Sequence, residues 1–188
     1  MKINAGLRLS SFISSGNVSN LGWEPRLALN YGVNDKISLK ASYSRMYQYV
    51  HLISNSGISL PTDIWYPSTA KVKPETSDQI AGGISWLLGK HWLLTNEYYY
   101  KWLGNQIEYK DGAQLFANDN IENEFSFGKG YAYGMEWELE KKEGKLTGWI
   151  GYTLAWVKKG GFPDIMQGRY FSPKYDRRHN LTVVAIYE

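Results

Sequence analysis

Few residues of the chain have the types and spacing that chemistry requires. The three histidines, His51, His91 and His179, are scattered along the sequence without the spacing of a metal-ligand cluster. Asp176 and His179 could join a distant serine in a hydrolytic triad, but the G-x-S-x-G sequence that presents such a nucleophile is absent. We therefore predict no catalytic residue, no metal site and no cofactor, and we do not expect an enzyme.

Glu136, Glu138 and Glu140 are the densest group of possible acids and bases. They alternate along one predicted strand, so all three side chains point to the same side of it. Paired carboxylates are the catalytic groups of many glycosidases. In a barrel, however, the same row lines the lumen and pairs with basic neighbours such as Lys101. We favour this structural role.

Composition excludes several classes of protein. The 188 residues include 8 Trp, 15 Tyr and 6 Phe, which is too aromatic for a disordered chain, and no cysteine, which excludes disulfide scaffolds and thiolate sites. The 21 basic and 18 acidic residues are interspersed, so the net charge of +3 forms no patch for nucleic acid. No apolar run is long enough for a membrane-spanning helix. Residues 1–10 lack a signal peptide, so either the protein is cytosolic or its true beginning lies upstream.

Apolar and polar residues alternate with a period of two in eight segments, and no segment has helical spacing over a helix-length window. The apolar rows begin at Ile3, Leu27, Ile37, Ile80, Trp92, Tyr131, Leu146 and Leu181. Each row opposes a face of small or polar residues. The pattern predicts an all-β fold of about eight antiparallel strands connected up and down.

The predicted connections alternate between short and long. The short ones, at 34–36, 89–91 and 141–145, carry the Gly, Asn or Asp of tight turns. The long ones are predicted at 12–22, 46–77, 104–129 and 158–175. Bacterial outer-membrane barrels have short periplasmic turns and long extracellular loops. A soluble antiparallel barrel that binds a ligand is the alternative, but it does not explain why all the long loops lie at one end.

The interpretation as an outer-membrane barrel also predicts which residues lie at the lipid interfaces. Most segments have the length of about 9 to 11 tilted residues that a strand needs to span a bilayer. Trp86 and Trp92 flank the turn at Gly89, where an aromatic girdle would lie. His179 is expected in the aromatic belt near the outer leaflet, and Arg177 beside it is expected to meet lipopolysaccharide phosphates.

An ordered series of stretches resembles the β-barrel of TonB-dependent outer-membrane receptors. The series consists of GLRLS, WEPRLALNYGVNDKISLKASYSRMYQYVHLISNSG, PTDIWYPSTAKVKPETSDQ, EYYYKWLGNQIEYKDGA, GKGYAYGMEWELEKKEGKLTGWIGYTLAW and YDRRHNL. Each stretch alone is a weak signal, but their order and spacing cover nearly the whole chain and are specific to this family.

The resemblance implies a bacterial outer-membrane receptor that binds a scarce nutrient and imports it with energy supplied through TonB. Family members have a 22-stranded barrel closed by a plug domain. Residues 1–188 are therefore expected to be an internal part of such a barrel, with the plug domain and the remaining strands absent. The implied partners are outer-membrane lipid, the nutrient, and the TonB system through the plug of the parent receptor.

In such a receptor the ligand arrives from outside, so the long loops are the expected binding region. The loop at 46–74 combines aromatic faces with hydrogen-bonding groups, a mixture suited to sugars, peptides or aromatic chelates. The candidate ligand residues are Tyr47, Gln48, Tyr49, His51, Trp65 and Tyr66. In the alternative interpretation, these side chains pack the loop against itself and bind no ligand. Siderophore, cobalamin and oligosaccharide all remain open as ligands.

A second interpretation also places the protein in the outer membrane but gives it a different function. Eight strands can form a complete small outer-membrane barrel with a structural or adhesive role, because an even number of strands leaves both termini on the periplasmic side. An upstream signal peptide would favour this small barrel, whereas an upstream plug domain would favour the receptor.

Overall fold

The computed structural model describes residues 1–14, 18–53, 63–114 and 118–187, and most of these residues are in strands. The strands are β1 Lys2–Ser14, β2 Val18–Gly32, β3 Ile37–Gln48, β4 Val50–Ile53, β5 Ile64–Pro67, β6 Glu75–Leu88, β7 Trp92–Tyr109, β8 Phe125–Lys141, β9 Leu146–Gly160 and β10 His179–Tyr187. Two short 3-10 helices cover Ile121–Glu124 and Met166–Gly168. The predicted all-β fold is confirmed.

Eight of the strands form one antiparallel sheet in the order β1-β2-β3-β6-β7-β8-β9-β10. The two remaining strands, β4 and β5, form a separate hairpin inserted between β3 and β6. The predicted up-and-down arrangement of eight strands is therefore confirmed. In the described part of the chain β1 and β10 each pair with one neighbour only, so the sheet is open.

The strand register keeps the apolar rows on one side of the sheet, which we call the outer face. Leu94 pairs with Leu139, Leu139 with Ile150, and Ile150 with Val183, so an unbroken apolar surface crosses four strands. Val183 is 60% exposed. A large exposed apolar surface is unfavourable in water and is what lipid contact requires.

The opposite side, which we call the inner face, is polar. It carries Arg8, Arg26, Lys40, Glu97 and Glu138 at positions that alternate with the apolar rows. Such a face is suited to the water-filled or plugged interior of a large barrel. The negative mean hydropathy of −0.43 is therefore the average of two unlike surfaces.

The two ends of the sheet differ in the length of their connections. At the turn end, β2–β3, β6–β7 and β8–β9 are joined by short turns. The Asn34 carboxamide oxygen accepts the backbone N–H groups of Lys36 and Ile37, at 2.8 and 2.9 Å. Gly89 and Gly144 supply the positive φ angles of +67° and +105° that the other two turns need. At the loop end lie the connections 49–74, 110–124 and 161–178, together with the much shorter 15–17.

The predicted long connection at 12–22 is wrong, because the β1–β2 hairpin continues through it. Phe12 pairs with Asn20 and Ser14 pairs with Val18, which leaves only residues 15–17 between the strands. Phe12, Ser14, Asn20 and Gly22 are therefore paired strand residues. The predicted alternation of short and long connections is therefore wrong for the β1–β2 connection, which is short.

Strands β7 and β8 continue beyond the rest of the sheet at the loop end, with 18 and 17 residues. A bulge between Leu103 and Gln106 allows this extension, and Asn105 within it has a φ of +53°. The Asn105 side chain donates a hydrogen bond to the Pro74 carbonyl oxygen at 2.9 Å. After the bulge Gln106 and Glu108 share the inner face with Leu103.

Most of the buried apolar residues lie at the loop end, where they form two clusters, and Ala132 of β8 is buried apart from them. The first contains Ile53, Val72, Ile107, Tyr109 and Phe125, and it joins the β4–β5 hairpin to the extension of β7 and β8. The second contains Phe162, Ile165 and Phe171 of the 161–178 loop. None of the helices within the described ranges has the length and apolar character that a membrane-spanning helix requires.

Candidate functional site

A cavity of about 390 Å³ opens at the loop end, where β3, β6 and β7 lie side by side. Its lining residues are Met46, Tyr47, Gln48, Glu75, Thr76, Ser77, Leu103, Gln106 and Tyr175. Met46, Ser77 and Leu103 place it on the inner face. Its volume lies within the about 300 to 1,000 Å³ of small-molecule pockets. Two of the predicted ligand residues border the cavity: Gln48 shares the inner face with Met46, whereas the strand register points the Tyr47 side chain to the outer face.

Tyr47 belongs to a stack of three aromatic rings beside this cavity. Phe12 stacks on Tyr49 with ring centres 5.5 Å apart, and Tyr49 stacks on Tyr47 at 6.3 Å. The Tyr49 hydroxyl is hydrogen-bonded to the Ser10 hydroxyl at 2.7 Å. Gly22 makes room for this contact, because a Cβ there would overlap the Tyr49 hydroxyl and lie 2.8 Å from Ser10 Oγ. Tyr49 thus supports Tyr47 without lining the cavity.

His51 lies in the protein interior, with 1% of its surface exposed. Its Nε2 is 3.0 Å from Ser68 Oγ, and its Nδ1 is 3.9 Å from the Glu75 carboxylate with no hydrogen-bond partner in the described structure. Glu75 in turn accepts the backbone N–H of Ile107 at 3.3 Å. His51 therefore lies behind the cavity wall that Glu75 forms.

Trp65 and Tyr66, the other two predicted ligand residues, lie on β5. The Tyr66 ring packs edge-on against Phe125 at 5.0 Å, and its hydroxyl donates a hydrogen bond to Glu122 at 3.0 Å. Burial raises the pKa of the Tyr66 hydroxyl, and the contact with Glu122 raises it further. Trp65 is 68% exposed. Neither residue lines the cavity, and residues 54–62 of the same predicted loop lie outside the described residues.

A buried ion pair holds the 161–178 loop near the cavity. Lys159 Nζ is 2.9 Å from Glu108 Oε1, and the Tyr175 ring centre lies 5.6 Å from the same ammonium group. Burial on its own would lower the pKa of Lys159, but the Glu108 carboxylate, Tyr175 and the hydrogen bond to Glu108 outweigh it and raise this pKa. Burial likewise raises the pKa of the Tyr175 hydroxyl. The loop backbone pairs with the strand, since Lys159 and Phe171 exchange hydrogen bonds of 2.9 and 2.8 Å.

Sequence reasoning missed seven of the nine lining residues, among them Glu75, Gln106 and Tyr175. Glu75 pairs directly with the predicted residue Gln48, so extending the β3–β6 pairing would have found it. Gln106 reaches the cavity only because of the bulge at Asn105, which the alternation of residues does not reveal. Tyr175 is brought there by the folding of a loop, for which the sequence carries no local signal.

Three of the predicted interface residues, Trp86, Trp92 and His179, lie on the outer face, and Arg177 lies in the 161–178 loop. Trp86 and Trp92 are at the turn end, and Trp92 packs beneath the Lys141 ammonium group at 5.8 Å. Near the loop end, His179 Nδ1 is 2.8 Å from the Tyr152 hydroxyl, and Arg177 is exposed. These positions agree with one belt of lipid-interface residues near each end of the sheet. The two belts stay a prediction.

Arg178 was not predicted from the sequence, but near the loop end it contacts both an aromatic ring and a carboxylate. Its guanidinium carbon is 4.8 Å from the Trp156 ring centre, and its Nη2 is 3.0 Å from Asp176. Trp156 stacks on Tyr133 at 5.1 Å, and Tyr133 stacks on Tyr100 at 6.2 Å. A continuous aromatic row thus crosses β7, β8 and β9 on the outer face.

On the inner face, opposite charges are paired on β1 and β2, whereas two like charges lie opposite each other on β7 and β8. Glu24 is 2% exposed and lies 3.7 Å from Arg8 and 3.5 Å from Arg26. On β7 and β8, Glu97 pairs directly with Glu136, an unfavourable position for two like charges. Lys101 does not neutralise them within the described structure, because it lies over the Tyr99 ring at 5.3 Å.

The described residues were also searched for a possible metal site. Among the residues that the structure describes, no group of three or more His, Asp or Glu side chains is arranged to hold a metal ion. The cavity therefore offers hydrogen bonds, aromatic surface and one carboxylate to a bound molecule.

Comparison with known proteins identifies the kind of sheet that carries this cavity. The model of the TonB dependent receptor-like β-barrel family matches residues 1–181. Among solved structures, the closed form of the ferric-catecholate import receptor Fiu from E. coli K12 is similar, with a TM-score of 0.67 and 16% sequence identity. The match covers 98% of this chain and 29% of that receptor. No curated protein matches the chain. Because the family model covers nearly its whole length, the chain belongs to the TonB-dependent receptor-like β-barrel family.

Proposed function

We propose that this chain is part of a bacterial outer-membrane receptor that binds a scarce nutrient at its loop end and imports it with energy supplied through TonB. One observation carries this proposal, the cavity on the inner face of a sheet whose outer face is apolar and exposed. A molecule held there lies inside the barrel and at its outer end. The family is one of receptors and transporters rather than enzymes, which agrees with the absence of a catalytic group in the sequence.

In this proposal residues 1–188 supply eight strands of a larger, 22-stranded barrel whose plug domain and other strands lie elsewhere in the parent receptor. The unpaired edges of β1 and β10 support it, because a strand edge exposed to lipid leaves backbone groups without partners. The paired carboxylates of Glu97 and Glu136 on the inner face support a plug that brings cationic groups to them.

The proposal assigns each surface a partner. The outer face meets the lipid of the bacterial outer membrane, the cavity meets the nutrient, and TonB acts through the plug of the parent receptor. Nucleic acid has no place in this arrangement, since basic and acidic residues are interspersed along the chain. The import of ferric catecholates by Fiu supports the reaction class, nutrient import, without fixing the nutrient of this chain.

Growth tests measure the proposed function directly. The source bacterium, a strain without this receptor and a strain without TonB are grown on single sources of iron, cobalamin or glycan. We expect at least one nutrient on which both mutant strains fail, and restored growth when the receptor gene is returned. Normal growth of the receptor-deficient strain on every nutrient that requires TonB would contradict the proposal.

A further inference from the structure

We propose that the outer face binds an anionic glycerophospholipid of the inner leaflet in an apolar depression beside Lys141 at the turn end. This inference rests on the proposed function, because it requires lipid around the outer face and the turn end on the periplasmic side. It goes beyond a general contact with lipid by naming one lipid class and the residues that bind it.

The depression has a volume of about 150 Å³ and crosses β8, β9 and β10. Its base is the row of outer-face residues next to the turns, where Lys141 pairs with Gly148 and Gly148 pairs with Ala185. Gly148 has no side chain and Ala185 has only a methyl group, so this row is lower than its surroundings. The bordering apolar residues of the outer face are Trp92, Leu139, Leu146, Ile150 and Val183.

Gly148 makes the depression a fixed feature of the sheet. A Cβ at this position would overlap the Val184 carbonyl oxygen of the neighbouring strand, and the φ of +144° favours glycine. A larger residue at this position therefore cannot fill the space unless the backbone of β10 moves. Close approach of two backbones is a common reason for a glycine inside a strand.

The wall of the depression matches a hydrocarbon chain. Of the eleven described residues that line it, Lys141 alone carries a formal charge. Ile150 is 49% exposed and Val183 is 60% exposed, so the surface around the depression is open to lipid. An acyl chain that enters the depression gains van der Waals contacts on several sides, which a flat surface does not provide.

Lys141 adds a preference for negative charge. Its ammonium group lies 5.8 Å from the centre of the Trp92 ring, at the level where an aromatic belt is predicted. Lys141 belongs to none of the ion pairs among the described residues, whereas Glu140 is paired with Lys142 at 3.3 Å. The Lys141 charge is therefore available to a phosphate at the membrane surface.

The position at the turn end selects the class of lipid. Lipopolysaccharide occupies the outer leaflet, so glycerophospholipids surround the sheet near the periplasmic turns. Phosphatidylglycerol has a net negative charge, whereas phosphatidylethanolamine carries its own ammonium group beside its phosphate. A lysine at the depression therefore favours phosphatidylglycerol.

Native mass spectrometry of the complete receptor, purified in detergent, tests the inference. The probes are phosphatidylglycerol and phosphatidylethanolamine with identical acyl chains, titrated separately. We expect one phosphatidylglycerol to bind more tightly than any phosphatidylethanolamine. Lys141→Gln should weaken phosphatidylglycerol binding about fivefold, the contribution of one lysine near a charged lipid surface, and Lys141→Arg should retain it. Ala185→Leu should weaken binding of both lipids about fourfold, because its side chain takes the space of one methylene group or more.

Two matched variants control for the loss of any lysine and the addition of any leucine. Lys36→Gln removes an exposed cation from the β2–β3 turn, and Ala5→Leu enlarges an exposed outer-face residue of β1. Neither residue lines the depression, so both variants should bind phosphatidylglycerol like the parent. All variants should migrate with the same heat-modifiable mobility as the parent.

Three results would overturn the inference. These are equal affinity of the parent receptor for the two lipids, unchanged phosphatidylglycerol affinity in Lys141→Gln, and equal effects of Ala185→Leu and Ala5→Leu. The comparison of the two lipids needs no substitution, so it decides even where a variant fails to fold. If growth still depends on both the receptor and TonB, only the lipid site is wrong and the proposed function stands. If no TonB-dependent growth is lost, the proposed function fails with it.

Discussion

Lys159 and Glu108 form an ion pair of 2.9 Å, and both residues are more than nine-tenths buried. The pair joins the end of β9 to the extension of β7, beside a loop that contributes Tyr175 to the cavity. A pair this deep is costly to break, because one charge is then left in a medium of low polarity.

Lys159→Met should therefore loosen the 161–178 loop. Loss of the ammonium group removes the 2.9 Å ion pair of the buried Glu108 carboxylate, at a cost of about 3 kcal/mol. We expect faster proteolysis within the loop, measured on the purified receptor at neutral pH. The double variant Lys159→Met with Glu108→Gln removes both charges and should recover part of the protection. Unchanged cleavage in the single variant would show that the pair does not hold the loop.

The same pair predicts a loss of loop stability at high pH. The folded-state pKa of Lys159 is raised above its ordinary value of 10.5, so its stabilising effect is complete below that value and is lost as pH rises through the folded pKa. The raised pKa of Tyr175 acts in the same direction above its ordinary value of 10.0. Cleavage within the 161–178 loop by a protease that is active at alkaline pH should accelerate above about pH 10.5. Lys159→Arg, which stays charged there, should reduce this acceleration, and an identical pH profile in that variant would contradict the role of Lys159.

Gly22→Ala should disturb the aromatic stack that supports Tyr47. The added Cβ would overlap the Tyr49 hydroxyl and crowd Ser10 Oγ, so the ring must move, at a cost of about 1 to 3 kcal/mol. We expect a lower unfolding temperature and an altered near-ultraviolet circular dichroism spectrum. Gly6→Ala is the matched control, because nothing lies within 4 Å of its Cβ position on the neighbouring strand. Equal effects of the two substitutions would rule out a specific contact with Tyr49.

Arg177→Ala should reduce the lipopolysaccharide that copurifies with the receptor. The Arg177 side chain is exposed in the 161–178 loop, next in sequence to Arg178, which packs on Trp156 of the aromatic row, and a guanidinium group can bind lipid phosphates. Arg8→Ala removes an exposed arginine from the inner face and should have no effect. Unchanged lipopolysaccharide content in Arg177→Ala would remove this residue from the lipid interface.

The alternation of residues was enough to predict the sheet, because a strand between lipid and a polar interior must present two unlike faces. Ile150 and Val183 on the outer face and Glu138 on the inner face all lie where that alternation puts them. The cavity was less predictable. Tyr47 and Gln48 belong to a strand end visible in the sequence, whereas Gln106 depends on a bulge and Tyr175 on the path of a loop.

The error at residues 12–22 has a related cause. Small polar residues are typical of loops, but Ser10 and Gly22 are a directly paired position in a hairpin, where their small size accommodates the Tyr49 hydroxyl. Composition alone does not distinguish a flexible connection from a strand that must leave space for a neighbour.

Labelling of single cysteines in intact cells tests most directly whether the sheet spans the outer membrane with its loop end outside. The chain has no cysteine of its own, so each introduced thiol reports one position. Asp111→Cys lies at the loop end and Lys90→Cys at the turn end. We expect a membrane-impermeant maleimide to label Asp111→Cys in intact cells, and Lys90→Cys only after the outer membrane is opened. Labelling of Lys90→Cys but not Asp111→Cys in intact cells would contradict the proposed receptor.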